Sequence, residues 1–190
     1  MAADPSVVRR RLESAGAAPG FRGHMVDRRY DLNGTLLALD HVLRLREMIG
    51  PGAESEFLVS WKGPTGVTPE GYKSRTELQY QVRPSSAPPA ELFERLGYQE
   101  VQRIERYVEY YRLEGAEVRI EWYPRMDVLI EVEGEPEAIE AALRCIGIPR
   151  EEWLADPLPV FAARYAERTG VSAALTREEL HDEPPSWESR

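Results

Sequence analysis

The chain has 190 residues, the size of one domain, and 42% of them are hydrophobic, so an intrinsically disordered chain is excluded. Its net charge of -9 argues against a nucleic-acid-binding surface, because attraction to the phosphate backbone requires a basic surface. A local basic cavity remains compatible with this charge.

The sequence lacks the signals of membrane insertion and secretion. No apolar run approaches the length of a membrane-spanning helix, and residues 1–6 lack the apolar core of a signal peptide. The single cysteine, Cys145, cannot form an intramolecular disulfide and fits a reducing compartment. We therefore expect a cytoplasmic protein with no membrane partner.

The first predicted element is a helix that opens at Asp4 and Pro5, with Asp4 as its N-cap. Strands are then predicted over residues 24–31, at the end of residues 36–47, and over residues 56–62, where Gly63 and Pro64 give a turn signal.

Residues 72–83 are predicted to form the longest strand of the chain. The odd positions are all polar, whereas the even positions are mostly apolar and include Leu78, Tyr80 and Val82. Because successive side chains of a strand point to opposite faces, this strand would have one polar and one largely apolar face.

The second half continues with a short helix that opens at Pro88 and Pro89 and ends at Gly97. Strands are predicted over residues 101–112, 117–123 and 127–133. Two further helices are predicted to open at Pro136 and at Asp156. The acidic residues 176–190 are expected to form a frayed polar tail after a single domain of residues 1–175.

About seven antiparallel strands among several helices predict an α+β fold in which the sheet curls or closes. Two arrangements explain the polar strand faces: a sheet with one face in water, or a barrel whose polar faces line the interior. The barrel is favoured because large apolar residues alternate with the charges. Leu43 and Leu45 flank Arg44, and helices could cover such residues on the outside of the barrel.

The charges of the strands are segregated by sign along the chain. Cations lie in the first half and carboxylates in the second, as shown by Arg44, Arg46, Lys62, Lys73 and Arg75 against Glu121, Glu131 and Glu133. In one cavity, the cations would bind an oligophosphate and the carboxylates would hold a hard divalent metal ion.

An ordered series of motifs resembles the CYTH superfamily, the triphosphate tunnel metalloenzymes, over about residues 5–170. The motifs are Asp27-x-x-Tyr30-Asp31, Leu43-Arg44-Leu45-Arg46-Glu47, Trp61-Lys62-Gly63-Pro64, Lys73-Ser74-Arg75-x-Glu77, and the acidic strands of residues 118–124 and 131–135.

The resemblance implies an antiparallel β-tunnel coated by helices that binds a triphosphate-containing small molecule with Mg²⁺ or Mn²⁺. It implies phosphate contacts from Arg44, Arg46, Lys62, Lys73, Arg75 and Arg106. It also implies metal roles for Glu77, Glu131 and Glu133, with Lys62 and Glu121 as catalytic candidates.

The sequence departs from the family pattern in three features. The first strand, of the form Glu-x-Glu-x-Lys, is missing, Gln79 stands where a second Glu is typical, and Val108 replaces a basic residue. A misplaced start could explain the missing strand but not Gln79 or Val108, so altered chemistry is slightly favoured.

Several functions therefore remain open. They are a metal-dependent triphosphatase, a class IV adenylate cyclase, a degenerate polyphosphate- or nucleotide-binding module and, last, a structural module with a solvated polar face. A homodimer is compatible with each of them.

Overall fold

The computed structural model describes residues 4–52, 55–83 and 87–189. The chain forms two compact units: unit 1 comprises Met1–Gly23 and Arg106–Arg190, and unit 2 comprises His24–Glu105. The prediction of a single domain over residues 1–175 stays a prediction.

The helices and strands follow the predicted α+β pattern. The helices are α1 (Pro5–Ser14), α2 (Thr35–Ala38), α3 (Pro89–Arg95), α4 (Pro136–Ile146) and α5 (Leu158–Thr169), with short 3₁₀ turns at Arg150–Glu152, Glu178–Leu180 and Ser186–Ser189. The strands are β1 (Ala18–Asp31), β2 (Val42–Ile49), β3 (Glu56–Lys62), β4 (Gly66–Val67), β5 (Lys73–Ser74), β6 (Glu77–Val82), β7 (Gln99–Leu113), β8 (Ala116–Trp122) and β9 (Leu129–Glu133).

Seven of these strands form one antiparallel sheet in the order β6-β3-β2-β1-β7-β8-β9, and β4 pairs with β5 separately. The α+β class and the large antiparallel sheet are therefore confirmed. Closure of the sheet into a tunnel stays a prediction. In the described part of the chain, no helix has both the length and the apolar character needed to cross a membrane.

Unit 1 has its core between two helices and one face of its strands. Asp4 caps α1 as predicted, accepting a hydrogen bond from the Ser6 amide at 2.9 Å. Val8 and Leu12 of α1 and Ile146 of α4 pack with alternate residues of β8, including Ile120. This alternation leaves the intervening residues of β8 on the opposite face of the strand.

Unit 2 separates its apolar and polar side chains in the same way. Leu45 is buried with Tyr30 and Phe93, and Leu43 and Val59 pack against them. Because the charged residues of β2 alternate with Leu43 and Leu45, they lie on the other face of the strand.

The prediction of one long strand over residues 72–83 is wrong. Lys73 and Ser74 of β5 pair with β4, whereas β6 begins at Glu77 and pairs with β3. The longest strand is instead β7, with 15 residues. The polar–apolar alternation continues across this break, so it could not reveal that the two parts have different partners.

The expectation of a frayed tail is wrong for the described residues 176–189. Trp187 is only 4% exposed and belongs to the core of unit 1. Ser186 donates a hydrogen bond from its amide to the Pro124 carbonyl at 2.8 Å and one from its hydroxyl to the Tyr123 carbonyl at 2.6 Å. Burial of the indole and these bonds offset the entropy of ordering a polar segment.

Candidate functional site

The polar face of unit 2 consists of side chains from four neighbouring strands. The pairing places Asp27 opposite Arg46, Arg44 opposite Ser60, and Lys62 opposite Glu77. Directly opposed residues of antiparallel strands project to the same side of the sheet. We call the set Asp27, Arg44, Arg46, Ser60, Lys62 and Glu77 the polar face.

Asp27 and Arg46 form a buried, two-pronged ion pair on the polar face. The Arg46 Nε and Nη2 atoms donate to the two Asp27 carboxylate oxygens at 2.7 and 2.8 Å. Arg44 Nη1 lies 3.7 Å from Asp27 Oδ2. The guanidinium of Arg46 is therefore held in fixed geometry by a carboxylate that has little access to water.

Glu77 lies on the same face and is held by two cations at once. Its Oε2 atom lies 2.8 Å from Lys62 Nζ, and its Oε1 atom accepts a hydrogen bond from Arg44 Nη2 at 3.3 Å. The Glu77 side chain is 34% exposed. The pair Arg44–Lys62 thus already binds an exposed anionic group.

Two further predicted phosphate contacts, Lys73 and Arg75, lie near a different carboxylate, that of Asp40. Arg75 donates to the Gly63 carbonyl at 2.7 Å and to both the backbone carbonyl and the carboxylate of Asp40. Hydrogen bonds from Thr65 hold the pKa of Asp40 below its ordinary value, and Arg75 and Lys73 lower it further. The structure therefore brings Arg44, Arg46 and Lys62 together, whereas Arg75 binds Asp40 and Lys73 acts on Asp40 through its charge. Arg106 lies in unit 1, beside Glu121.

Unit 1 carries a second group of charges, centred on Arg119 of β8. Its Nη2 atom lies 2.6 Å from Glu131 Oε2 and 2.6 Å from Glu133 Oε1. Burial by itself lowers the pKa of Arg119, but Glu131 and Glu133 outweigh this and raise it well above its ordinary value. The guanidinium also lies 5.6 Å from the centre of the Tyr110 ring.

Glu121 is the most buried member of this group. Its Oε2 atom accepts a hydrogen bond from the Tyr123 hydroxyl at 2.6 Å. Its Oε1 atom lies 3.5 Å from Arg106 Nε and 3.6 Å from Arg119 Nε. Burial first, and then the charge of Glu121, raise the pKa of Tyr123 well above its ordinary value, so the hydroxyl stays protonated. We call Glu121, Glu131 and Glu133 the carboxylate cluster.

The described residues do not fit a divalent metal ion as they stand. Carboxylate oxygens are suitable ligands for Mg²⁺ or Mn²⁺. However, among residues 4–52, 55–83 and 87–189 no three acidic, histidine or cysteine side chains are arranged to hold a metal. Glu131 and Glu133 bind Arg119, and Glu77 binds Lys62 and Arg44. The predicted metal roles of Glu77, Glu131 and Glu133 stay predictions.

Sequence reasoning missed Arg119 and the roles of Asp27 and Tyr123. The alternation along β8 could have revealed Arg119, since it places this residue on the same face as Glu121. Val108, one of the departures from the family pattern, is fully buried and pairs with Glu121. A basic side chain at this position would contribute another cation beside that carboxylate.

No protein-family model and no curated protein matches the sequence. Solved structures do match the fold. A protein from Pyrococcus horikoshii OT3 is 21% identical, with a TM-score of 0.63, over 78% of this chain and 88% of its own. A candidate adenylate cyclase from Vibrio parahaemolyticus is 13% identical, with a TM-score of 0.63, over 84% and 92%.

A third neighbour is a candidate adenylyl cyclase from Hippeastrum with a dominant triphosphatase activity. It is 17% identical, with a TM-score of 0.58, over 86% of this chain and 92% of its own. The structural neighbours are CYTH-type proteins, so the resemblance inferred from the motifs is confirmed at the level of the fold.

Proposed function

We propose that this chain, which has the fold of CYTH-type proteins, binds the triphosphate group of a small molecule on the polar face of unit 2. The observation that carries the proposal is the exposed carboxylate of Glu77, held by both Lys62 and Arg44. Arginine offers a planar fork to phosphate oxygens and lysine adds a compact point charge. Two cations that share one carboxylate are therefore suited to a phosphoryl group.

An incoming phosphate would have to displace one of the two carboxylates of the polar face. Removing Asp27 would leave Arg46 as a buried charge without its counter-ion, which costs about 3–5 kcal/mol. The Glu77 carboxylate is partly exposed to water, and Arg44 keeps Asp27 as a neighbour when Glu77 leaves, so breaking its ion pairs costs only about 1 kcal/mol. We therefore expect the phosphate to replace Glu77 while Asp27 keeps Arg46 in place. Lys73, Arg75 and Arg106 remain predicted phosphate contacts.

The test compares tripolyphosphate with orthophosphate at equal ionic strength in thermal melting. A ligand at a hundredfold excess over its dissociation constant stabilises the folded state by about 2.7 kcal/mol. We expect a larger melting shift with tripolyphosphate, and a smaller one in Lys62→Gln and Arg44→Gln.

Arg28→Gln is the matched control. Arg28 is on the other face of β1, is 22% exposed like Lys62, and pairs with Glu47 at 3.2 Å. Equal shifts with both phosphates, or an equal loss in all three variants, would contradict the proposal.

Hydrolysis of the bound triphosphate is a second candidate function. It is supported by the dominant triphosphatase activity of the Hippeastrum neighbour. Lys62 would neutralise the charge that develops on the phosphoryl oxygens, and Glu121 is the other catalytic candidate. The test is orthophosphate release from tripolyphosphate and from ATP, with cyclic AMP measured in parallel. Release by the wild type and its loss in Lys62→Gln are expected, and equal release by both would contradict it.

A further inference from the structure

We propose that the guanidinium of Arg119 is the resident cation of the carboxylate cluster and takes the place that a divalent metal ion would need. The inference concerns unit 1 alone and does not depend on triphosphate binding to unit 2. It follows from three properties of Arg119: its position between the carboxylates, its burial, and its permanent charge.

One nitrogen atom of Arg119 contacts both exposed carboxylates of the cluster. Arg119 Nη2 lies 2.6 Å from an oxygen of Glu131 and 2.6 Å from an oxygen of Glu133. Mg²⁺ binds oxygen ligands at about 2.0–2.1 Å, so an ion on those two oxygens would overlap the guanidinium. Arg119 and a metal ion cannot share this pair of oxygen atoms.

Burial makes Arg119 difficult to displace. Its side chain is 7% exposed, whereas those of Glu131 and Glu133 are 47% and 49% exposed. Arg119 lies on the middle strand of three, opposite Tyr110 of β7 and Glu131 of β9. Moving the guanidinium away would leave a buried charge without its partners, which is among the costliest changes in a protein interior.

The resident cations also weaken the attraction for a dication. Arg106 and Arg119 both lie within 3.6 Å of Glu121, and Arg119 Nη1 lies 3.5 Å from Glu117, so two guanidinium groups already neutralise half of the four carboxylates around Arg119. An arginine side chain keeps its proton at any pH that the fold tolerates. Unlike a lysine or a histidine, Arg119 therefore cannot make room for a metal ion by losing its charge.

The experiment measures Mn²⁺ binding to the full chain, without phosphate, by titration calorimetry and electron paramagnetic resonance. When Arg119 is present, we expect the double variant Glu131→Gln/Glu133→Gln to bind Mn²⁺ as the wild type does. In Arg119→Gln we expect a new site of one Mn²⁺ per chain, at least tenfold tighter than any wild-type binding. The triple variant Arg119→Gln/Glu131→Gln/Glu133→Gln should lose that site.

Arg168→Gln is the matched control, because it removes the same charge from unit 1 beside a single carboxylate, Asp127, at 2.6 Å. It should bind Mn²⁺ as the wild type does. A wild-type site that disappears in Glu131→Gln/Glu133→Gln would overturn the proposal, and this arm does not require Arg119→Gln to fold. No gain of Mn²⁺ binding in a folded Arg119→Gln would overturn it as well.

Discussion

The polar face of unit 2 and the carboxylate cluster of unit 1 hold their charges in opposite arrangements. In unit 2 a buried anion, Asp27, fixes Arg46, and the exposed partner of the neighbouring cations is Glu77. In unit 1 the buried partner is a cation, Arg119, and the exposed partners are Glu131 and Glu133. A ligand most easily replaces the exposed member of an ion pair. In unit 2 that member is the anion Glu77, which another anion could replace.

Unit 1 cannot exchange its cation for a metal ion in the same way. A metal ion would have to replace the buried member of the pairs, because it has the same sign of charge as Arg119. The side chains that are accessible for exchange, Glu131 and Glu133, are anions, and a metal cation cannot take the place of an anion.

Asp27→Ala should be the most destabilising of these changes. It removes the counter-ion of Arg46 and a neighbour of Arg44, and it leaves their charges buried. Breaking such a pair lowers the free energy of unfolding by about 3–5 kcal/mol. Urea unfolding measures this loss, and the double variant Asp27→Leu/Arg46→Met should recover most of it. A loss below about 1 kcal/mol would mean that Asp27 is not the fixed member of the polar face.

Tyr123→Phe should have an intermediate and pH-dependent effect. At neutral pH it leaves Glu121 Oε2 without the hydroxyl donor, which costs about 1–3 kcal/mol. The folded-state pKa of Tyr123 is raised above its unfolded value of 10.0. Above pH 10 the unfolded state releases the Tyr123 proton while the folded state keeps it, so the folded state loses stability as pH rises through that value.

Unfolding in urea at a series of pH values between neutral and alkaline measures this change. The difference between wild type and Tyr123→Phe should shrink by about 1.4 kcal/mol per pH unit above the unfolded pKa. A difference that is constant across this range would show that Tyr123 is not held protonated.

Glu77→Gln should have the smallest effect on stability and a clear effect on binding. Because Glu77 is partly exposed and Arg44 keeps Asp27 as a neighbour, we expect the free energy of unfolding to fall by only about 1 kcal/mol. Removal of the competing carboxylate should tighten tripolyphosphate binding about tenfold, which equals about 1.4 kcal/mol.

Glu47→Gln is the control for Glu77→Gln, because Glu47 lies on the other face of β2 and pairs with Arg28. Titration calorimetry in the absence of metal ions separates the two variants. Weaker binding in Glu77→Gln than in Glu47→Gln would indicate that Glu77 supports the ligand and does not compete with it.

Much of the fold could be predicted from local patterns. β3 runs over the predicted residues Glu56–Lys62, and α4 starts at Pro136 as predicted. Both have strong local signals, a turn after the strand and a proline in the first helical turn. The break before β6 could not be found in this way, because strand pairing depends on residues distant in the sequence.

The candidate site was predictable by residue type but not by pairing. The alternation along β2 placed Arg44 and Arg46 on one polar face, as the structure has them. The sequence could not show that Asp27 fixes Arg46, because this contact depends on the register between β1 and β2. For the same reason, Glu131 and Glu133 suggested a metal when their partner in the structure is Arg119.

The buried indole of Trp187 gives the C-terminal segment a spectroscopic signal of its own. Trp187 is 4% exposed, and the guanidinium carbon of Arg177 lies 5.2 Å from the centre of its ring. Subtracting the emission spectrum of Trp187→Phe from that of the wild type isolates this fluorophore from the other three tryptophans. A red shift of the difference spectrum in mild denaturant, before circular dichroism changes, would time the release of this segment from the sheet without an added label.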